Sequence, residues 1–145
     1  MNNEYQIVKM HICSFLRTGG IDTACLGKYP VRLCVLDKNN RRAIDVVTMH
    51  EYPYVKMVNM KYLAPENNDF KIEIGKRYAC VEYKTILSLD LSSKELDRCK
   101  NIISLLNNGY KFKDGNKELT NEQYLQKVYN VEKTDKLVKK LKKRK

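Results

Sequence analysis

The sequence predicts an α+β domain: a strongly bent antiparallel sheet or partly open small barrel (SH3-like or OB-like) of about six strands, followed by two to three C-terminal helices. Two observations predict it. Short β-branched and alternating apolar runs, separated by turn residues, are confined to residues 1–91. Helix-start signals appear abruptly at Ser92 and recur at Thr120. No Pro/Gly/Ser linker or internal repeat divides the chain, so residues 1–145 read as one domain with a strand-rich part (1–91), a helical part (92–131) and a basic C-terminal segment (132–145).

Tyr5 to Leu16 carries apolar residues on both parities, as expected of a strand buried on both faces. Val31, Leu33 and Val35 alternate with Arg32, Cys34 and Leu36. Asp37 to Asn40 then supplies turn residues, and Ile44, Val46 and Val47 resume a β-branched run, which together predict a hairpin. Its turn should be longer than two residues, because Asn39-Asn40 lacks the glycine of the tightest turns. Further strands are expected over 54–60, 70–74 and 78–91.

The helices follow from capping chemistry. Ser92 with Glu95, and Thr120 with Gln123, have the spacing at which hydroxyl and acid or amide each satisfy a free first-turn amide. Leu96, Cys99, Ile103 and Leu106 recur at helical spacing, and Asn107-Asn108-Gly109 is a natural stop. Tyr110 to Leu119 reads as a small hairpin around Asp114-Gly115. Thr134 to Arg144 is amphipathic but short.

Composition narrows the class of function. The chain is 43% hydrophobic and 31% charged, with no apolar run long enough to cross a bilayer. The N-terminal stretch lacks the uninterrupted apolar core of a secretion signal, which predicts a cytoplasmic protein. In that setting the five cysteines, an odd set without a Cys-x-x-Cys pair, read as reduced thiols and small core residues. Net charge is +11, and seven lysines and one arginine against two acids place +6 of it in residues 132–145.

Phosphate-loop, dinucleotide, serine-hydrolase and zinc-protease motifs are absent. His11 and Cys13, two apart on a strand, share a side, but no second close pair completes a metal site, so neither metal nor cofactor is expected. No small-molecule substrate or membrane partner is inferred.

What remains is a polyanion partner, RNA or single-stranded DNA, held without catalysis. Tyrosines interleaved with cations suit base stacking and phosphate contact. Tyr52, Tyr54, Lys56, Lys61 and Tyr62 make one such set. Lys76, Arg77, Tyr83 and Lys84 make another, with Arg41 and Arg42 at the hairpin tip. Lys136, Lys139, Lys140, Lys142, Lys143, Arg144 and Lys145 would add non-specific affinity.

Two alternatives stand beside this reading. A metal-free endoribonuclease would draw base, acid and cations from His50, Glu51, Arg41, Arg42 and His11. In size, charge and strand-rich plan it resembles the compact endoribonuclease toxins of bacterial toxin–antitoxin systems, which implies an antitoxin protein partner. The other alternative is a virus- or mobile-element-encoded inhibitor that binds a host protein.

Overall fold

Alternating strands and capped helices assemble in the computed structural model, which describes residues 5–15, 31–55, 57–58, 61–62, 73, 75–86 and 91–130. The main sheet contains β1 (Gln6–Cys13), β2 (Val31–Asp37), β3 (Arg42–Asp45), β4 (Glu51–Pro53) and β7 (Tyr78–Thr85), in the order β4-β3-β2-β1-β7. A separate ladder pairs β5 (Met57–Val58) with β6 (Lys61–Tyr62). The helices are α1 (Ser93–Asn107), α2 (Gly115–Glu118) and α3 (121–130). Among the described residues, the expectation of about six strands becomes five in the main sheet plus a two-stranded ladder. The strand expected at 70–74 lies outside the described residues.

All neighbours in the main sheet are antiparallel. Between β1 and β7 the register shifts twice, at Lys9/Met10 and at His11/Ile12. Such irregularities bend a sheet, and here they help curl it into a nearly closed barrel. Closure comes where the chain leaves β4: Tyr54 bridges Ala79 in the parallel sense, and Val55 N donates to Ala79 O at 3.0 Å.

Both faces of this sheet are covered, which explains why β1 and β2 carry apolar residues on both parities. Val8, Met10, Ile12, Cys34, Leu36, Ala43, Tyr52, Tyr78 and Cys80 fill the interior, joined by Tyr124 and Val128 of α3. Leu33, Val35, Ile44 and Ile86 face outward and pack against Cys99, Ile102 and Leu106 of α1. One helix thus covers the wall while another contributes to the interior.

The capping signals act as expected. Ser92 Oγ accepts from Glu95 N at 3.2 Å while Ser92 N donates to the Glu95 carboxylate at 3.2 Å. Thr120 and Gln123 exchange the equivalent pair at 2.9 and 3.1 Å. α1 ends at Asn107, and Gly109 takes φ 78°. The β2–β3 turn spans Lys38 to Arg41, longer than two residues as the missing glycine implied.

Three expectations fail. β3 stops at Asp45 because the Asp45 carboxylate accepts from Val47 N at 2.8 Å and Thr48 N at 3.4 Å, turning Val46 and Val47 out of the strand. The hairpin expected around Asp114-Gly115 is instead a capped turn of helix, in which Asp114 Oδ1 accepts from Asn116 N at 2.9 Å. Cys13 and Cys80 are joined in a disulfide between β1 and β7, where strand pairing brings their Cα atoms to 6.5 Å. Cysteine usage therefore gives no support to a reducing compartment. Cys34 and Cys99 are buried free thiols, and burial pushes Cys34 well above its ordinary range and Cys99 up to about 11.

Gly115 tolerates no side chain. A Cβ there would stand 2.6 Å from Tyr52 Cε1, against a ring that is itself fully buried. Gly115→Ala should lower stability by about 1–3 kcal/mol through overpacking, read as a drop in the urea midpoint. An unchanged midpoint would mean that α2 does not seat against β4.

Candidate functional site

Three segments converge at the β3–β4 corner. The corner itself, Asp45 to His50, is closed by Asp45 N donating to His50 O at 3.0 Å and Met49 N to Asp45 O at 2.8 Å, with Met49 at φ 62°. On one side, segment 108–114 runs along β4, and Glu51 N donates to Lys113 O at 2.8 Å. On the other, α3 docks through two polar contacts: Tyr124 OH donates to Asp45 Oδ2 at 2.8 Å, and Lys127 Nζ donates to Thr48 O at 3.3 Å.

Beneath the corner lies a buried polar cluster. Arg77, 1% exposed, is stacked between the rings of Tyr52 and Tyr124, at 5.2 and 4.9 Å from their centroids. Its Nη2 donates to Gly115 O at 2.8 Å and Leu119 O at 2.6 Å. Asn116 completes the dock, accepting from Arg77 N and donating to Arg77 O, both at 2.9 Å. Burial raises the Asp45 carboxyl, while the Arg32 charge and the hydrogen bonds it accepts work in the other direction. Burial, then the Asp45 charge, holds the Tyr124 phenol well above its ordinary value.

His50 sits at the boundary between this cluster and solvent, 9% exposed, with Nδ1 unpartnered among the described residues. Its pKa is lowered first by burial and next by Lys127, with Lys113 acting in the same direction and Glu118 and Asp45 against them. Because the folded value lies below the ordinary value of about 6.5, this residue's contribution to stability is complete above that pH. As pH falls through the lower folded value, the unfolded chain takes up the proton first and stability declines. Stability measured from pH 7.5 to 5 should fall less in His50→Gln than in the parent. Parallel curves would show that His50 is not held neutral.

Of the sequence-predicted catalytic residues, Arg42 and Glu51 are brought together. Arg42 Nε pairs with Asp37 at 3.1 Å and Arg42 Nη1 with Glu51 at 3.1 Å, so this cation and acid neutralise each other on the outer side of the hairpin. Arg41 is exposed in the turn. His50 lies in the corner just before β4, and His11 lies on β1, paired with Val31 and Val81. Cys13 is committed to its disulfide, which removes the His11–Cys13 ligand pair. Among the described residues, no group of three or more His, Cys, Asp or Glu is placed to hold a metal ion.

The predicted binding face is corrected at two positions. Tyr52 and Arg77 were expected to be exposed, but they are 0% and 1% accessible and stack on each other inside the molecule. Tyr54 and Lys76 are half-buried, with Lys76 Nζ 5.7 Å from the Tyr78 ring centroid. Lys61, Tyr62, Tyr83 and Lys84 lie on strands, but their side chains are outside the described set, as are Lys56 and residues 131–145.

A different cationic group was missed. Lys111, Lys113, Lys117 and Lys127 are all exposed, and Tyr110, whose ring packs edge-on at 4.8 Å from that of Phe112, is 49% exposed. The signal was present in Tyr110-Lys111-Phe112-Lys113, where Phe112 alone turns inward, but reading this stretch as a hairpin hid its role as a rim.

Fold and site define the class: a small α+β barrel with exposed lysines on the segments around the β3–β4 corner, where α3 enters the core. No family model, curated protein or solved structure matches the chain. Among the described residues no helix is long and apolar enough to cross a membrane.

Proposed function

We propose that this protein binds RNA or single-stranded DNA without cleaving it. The observation that carries the reading is the exposed set Lys111, Lys113, Lys117 and Lys127, with Tyr110 also exposed, carried by segment 108–114, α2 and α3, which border one barrel corner. Clustered ammonium groups gain from counterion release on a phosphate backbone, and an exposed ring offers a base something to stack on. The +6 segment 132–145 supplies further non-specific attraction. Of the two expected barrel types we favour the SH3-like one, a reading supported by the meander of β1 to β4 with β7 beside β1, whereas the OB-like alternative is a Greek key.

Fluorescence anisotropy against single- and double-stranded oligonucleotides, titrated with salt, tests the reading. Single strands should bind at low salt with a steep slope of log affinity against log salt. Deleting residues 136–145 should weaken binding and flatten that slope by about 0.7 for each phosphate no longer neutralised. No binding at low salt removes the reading.

A second reading, a metal-free endoribonuclease of the toxin type, is favoured by one observation. Burial and Lys127 keep His50 neutral near pH 7, the state in which an imidazole accepts a proton from a ribose hydroxyl. RNA cleavage in EDTA, slowed by His50→Ala with the fold intact, would establish it. Intact RNA in the same assay excludes it.

A further inference from the structure

We propose that His50, Lys113 and Lys127 form a subsite for one phosphate group of a nucleic-acid backbone; the inference rests on the nucleic-acid-binding reading and gives it a place. The subsite is built on the β3–β4 corner. Lys127 is tied to it through Thr48 O at 3.3 Å, and Lys113 is tied beside it through the Glu51 N to Lys113 O bond at 2.8 Å. Two lysines from separate elements, one held through its ammonium and the other through its backbone carbonyl, thus reach the corner that carries His50, and both charges act on its imidazole. Both residues are exposed, so their charged ends remain in reach of solvent.

His50 supplies the second, independent observation. It is 9% exposed, and its buried Nδ1 meets no hydrogen-bond partner among the described residues. An imidazole disfavoured as a cation first by burial and then by the Lys127 and Lys113 charges protonates more readily once an anion arrives. A phosphate meets that need: its oxygens accept from an ammonium group, and its charge offsets the repulsion among three cations. Lys127 has three N–H donors and spends one on Thr48, leaving two for the ligand.

Carboxylates nearby decide how strong the site is. Asp45 is buried and accepts from Tyr124, Val47 and Thr48, so it is engaged within the core. Glu118 is exposed and acts on His50 electrostatically, which makes it the local competitor of an incoming phosphate. Its removal should tighten binding.

The sequence contains two histidines, so His11 serves as an internal control for the imidazole signals of His50 in NMR. The full chain is titrated with a ten-residue thymidine oligonucleotide and, separately, with inorganic phosphate. The oligonucleotide should shift the His50 resonances and raise their titration midpoint while His11 stays in place. The double variant Lys113→Gln/Lys127→Gln should flatten the salt slope by about 1.4, or weaken binding on the order of tenfold near 0.1 M salt. Glu118→Gln, which leaves the Thr48 contact alone, should bind more tightly, and a matching melting temperature for each variant keeps the comparison clean.

Oligonucleotide binding that leaves His50 unmoved and is unaffected in all three substitutions overturns the subsite while the broader reading stands. A His50 response to inorganic phosphate but not to the oligonucleotide also overturns it, in favour of a free-anion site. Absence of any oligonucleotide binding at low salt takes down both together.

Discussion

Arg77→Met should cost the fold about 2–3 kcal/mol, and Arg77→Lys should recover little of it. The guanidinium carries three separate duties. Its planar face is sandwiched by Tyr52 and Tyr124, its Nη2 satisfies Gly115 O and Leu119 O, and its Nε reaches Asn116 Oδ1 at 3.4 Å. Removing it takes that donor from Leu119 O, at about 1–3 kcal/mol for an acceptor left unsatisfied, while Gly115 O keeps its bond from Leu119 N at 3.1 Å, and it forfeits cation–π contacts worth about 2 kcal/mol when desolvated. These terms share one side chain and do not add. Lysine is a point charge and cannot lie flat between two rings while donating to acceptors on α2 and beyond it. Urea midpoints measure the loss, and hydrogen exchange should show residues 110–130 opening first, because Arg77 is what ties β7 to them. A stable Arg77→Met with weakened oligonucleotide binding would restore Arg77 to the binding face and sink the structural account.

Reducing the Cys13–Cys80 disulfide should lower stability by about 2–4 kcal/mol. The bond spans a sequence separation of 67 residues, so breaking it returns a large loop's freedom to the unfolded chain. It also fastens the two strands whose pairing is interrupted by two register shifts. Both residues are buried, at 0% and 2% exposure, so reduction should require opening of the barrel and proceed slowly in native buffer. The double variant Cys13→Ala/Cys80→Ala should unfold at the lower midpoint with or without dithiothreitol. Identical midpoints for the parent in oxidising and reducing buffer would show that the two sulfurs are not bonded in solution.

Local features were readable in advance where the deciding contacts lie within one turn or one hairpin. Ser92 with Glu95 and Thr120 with Gln123 need only three-residue spacing to announce helix starts, and Gly109 needs only its own backbone freedom to end α1. The β2–β3 hairpin was likewise visible in its alternation and turn residues. Asp114-Gly115 misled because both turns and helix caps favour aspartate, and the choice was made by a distant ring: Gly115 seats against Tyr52. Lys113 and Lys127 escaped notice as a site because nothing in their local pattern connects either one to His50.

By itself, then, the chain's residue order determined its division into a strand-rich and a helical part, the starts of α1 and α3, and a net positive charge. Tertiary structure alone decided which tyrosines and cations face water. Arg77 meets Gly115 across 38 positions and Tyr124 meets Asp45 across 79. Propensity and capping act over a few residues, whereas burial is settled only when remote segments close on one another. A Tyr/Lys-rich strand therefore reads the same whether its rings stack on a base or on an arginine from the next wall.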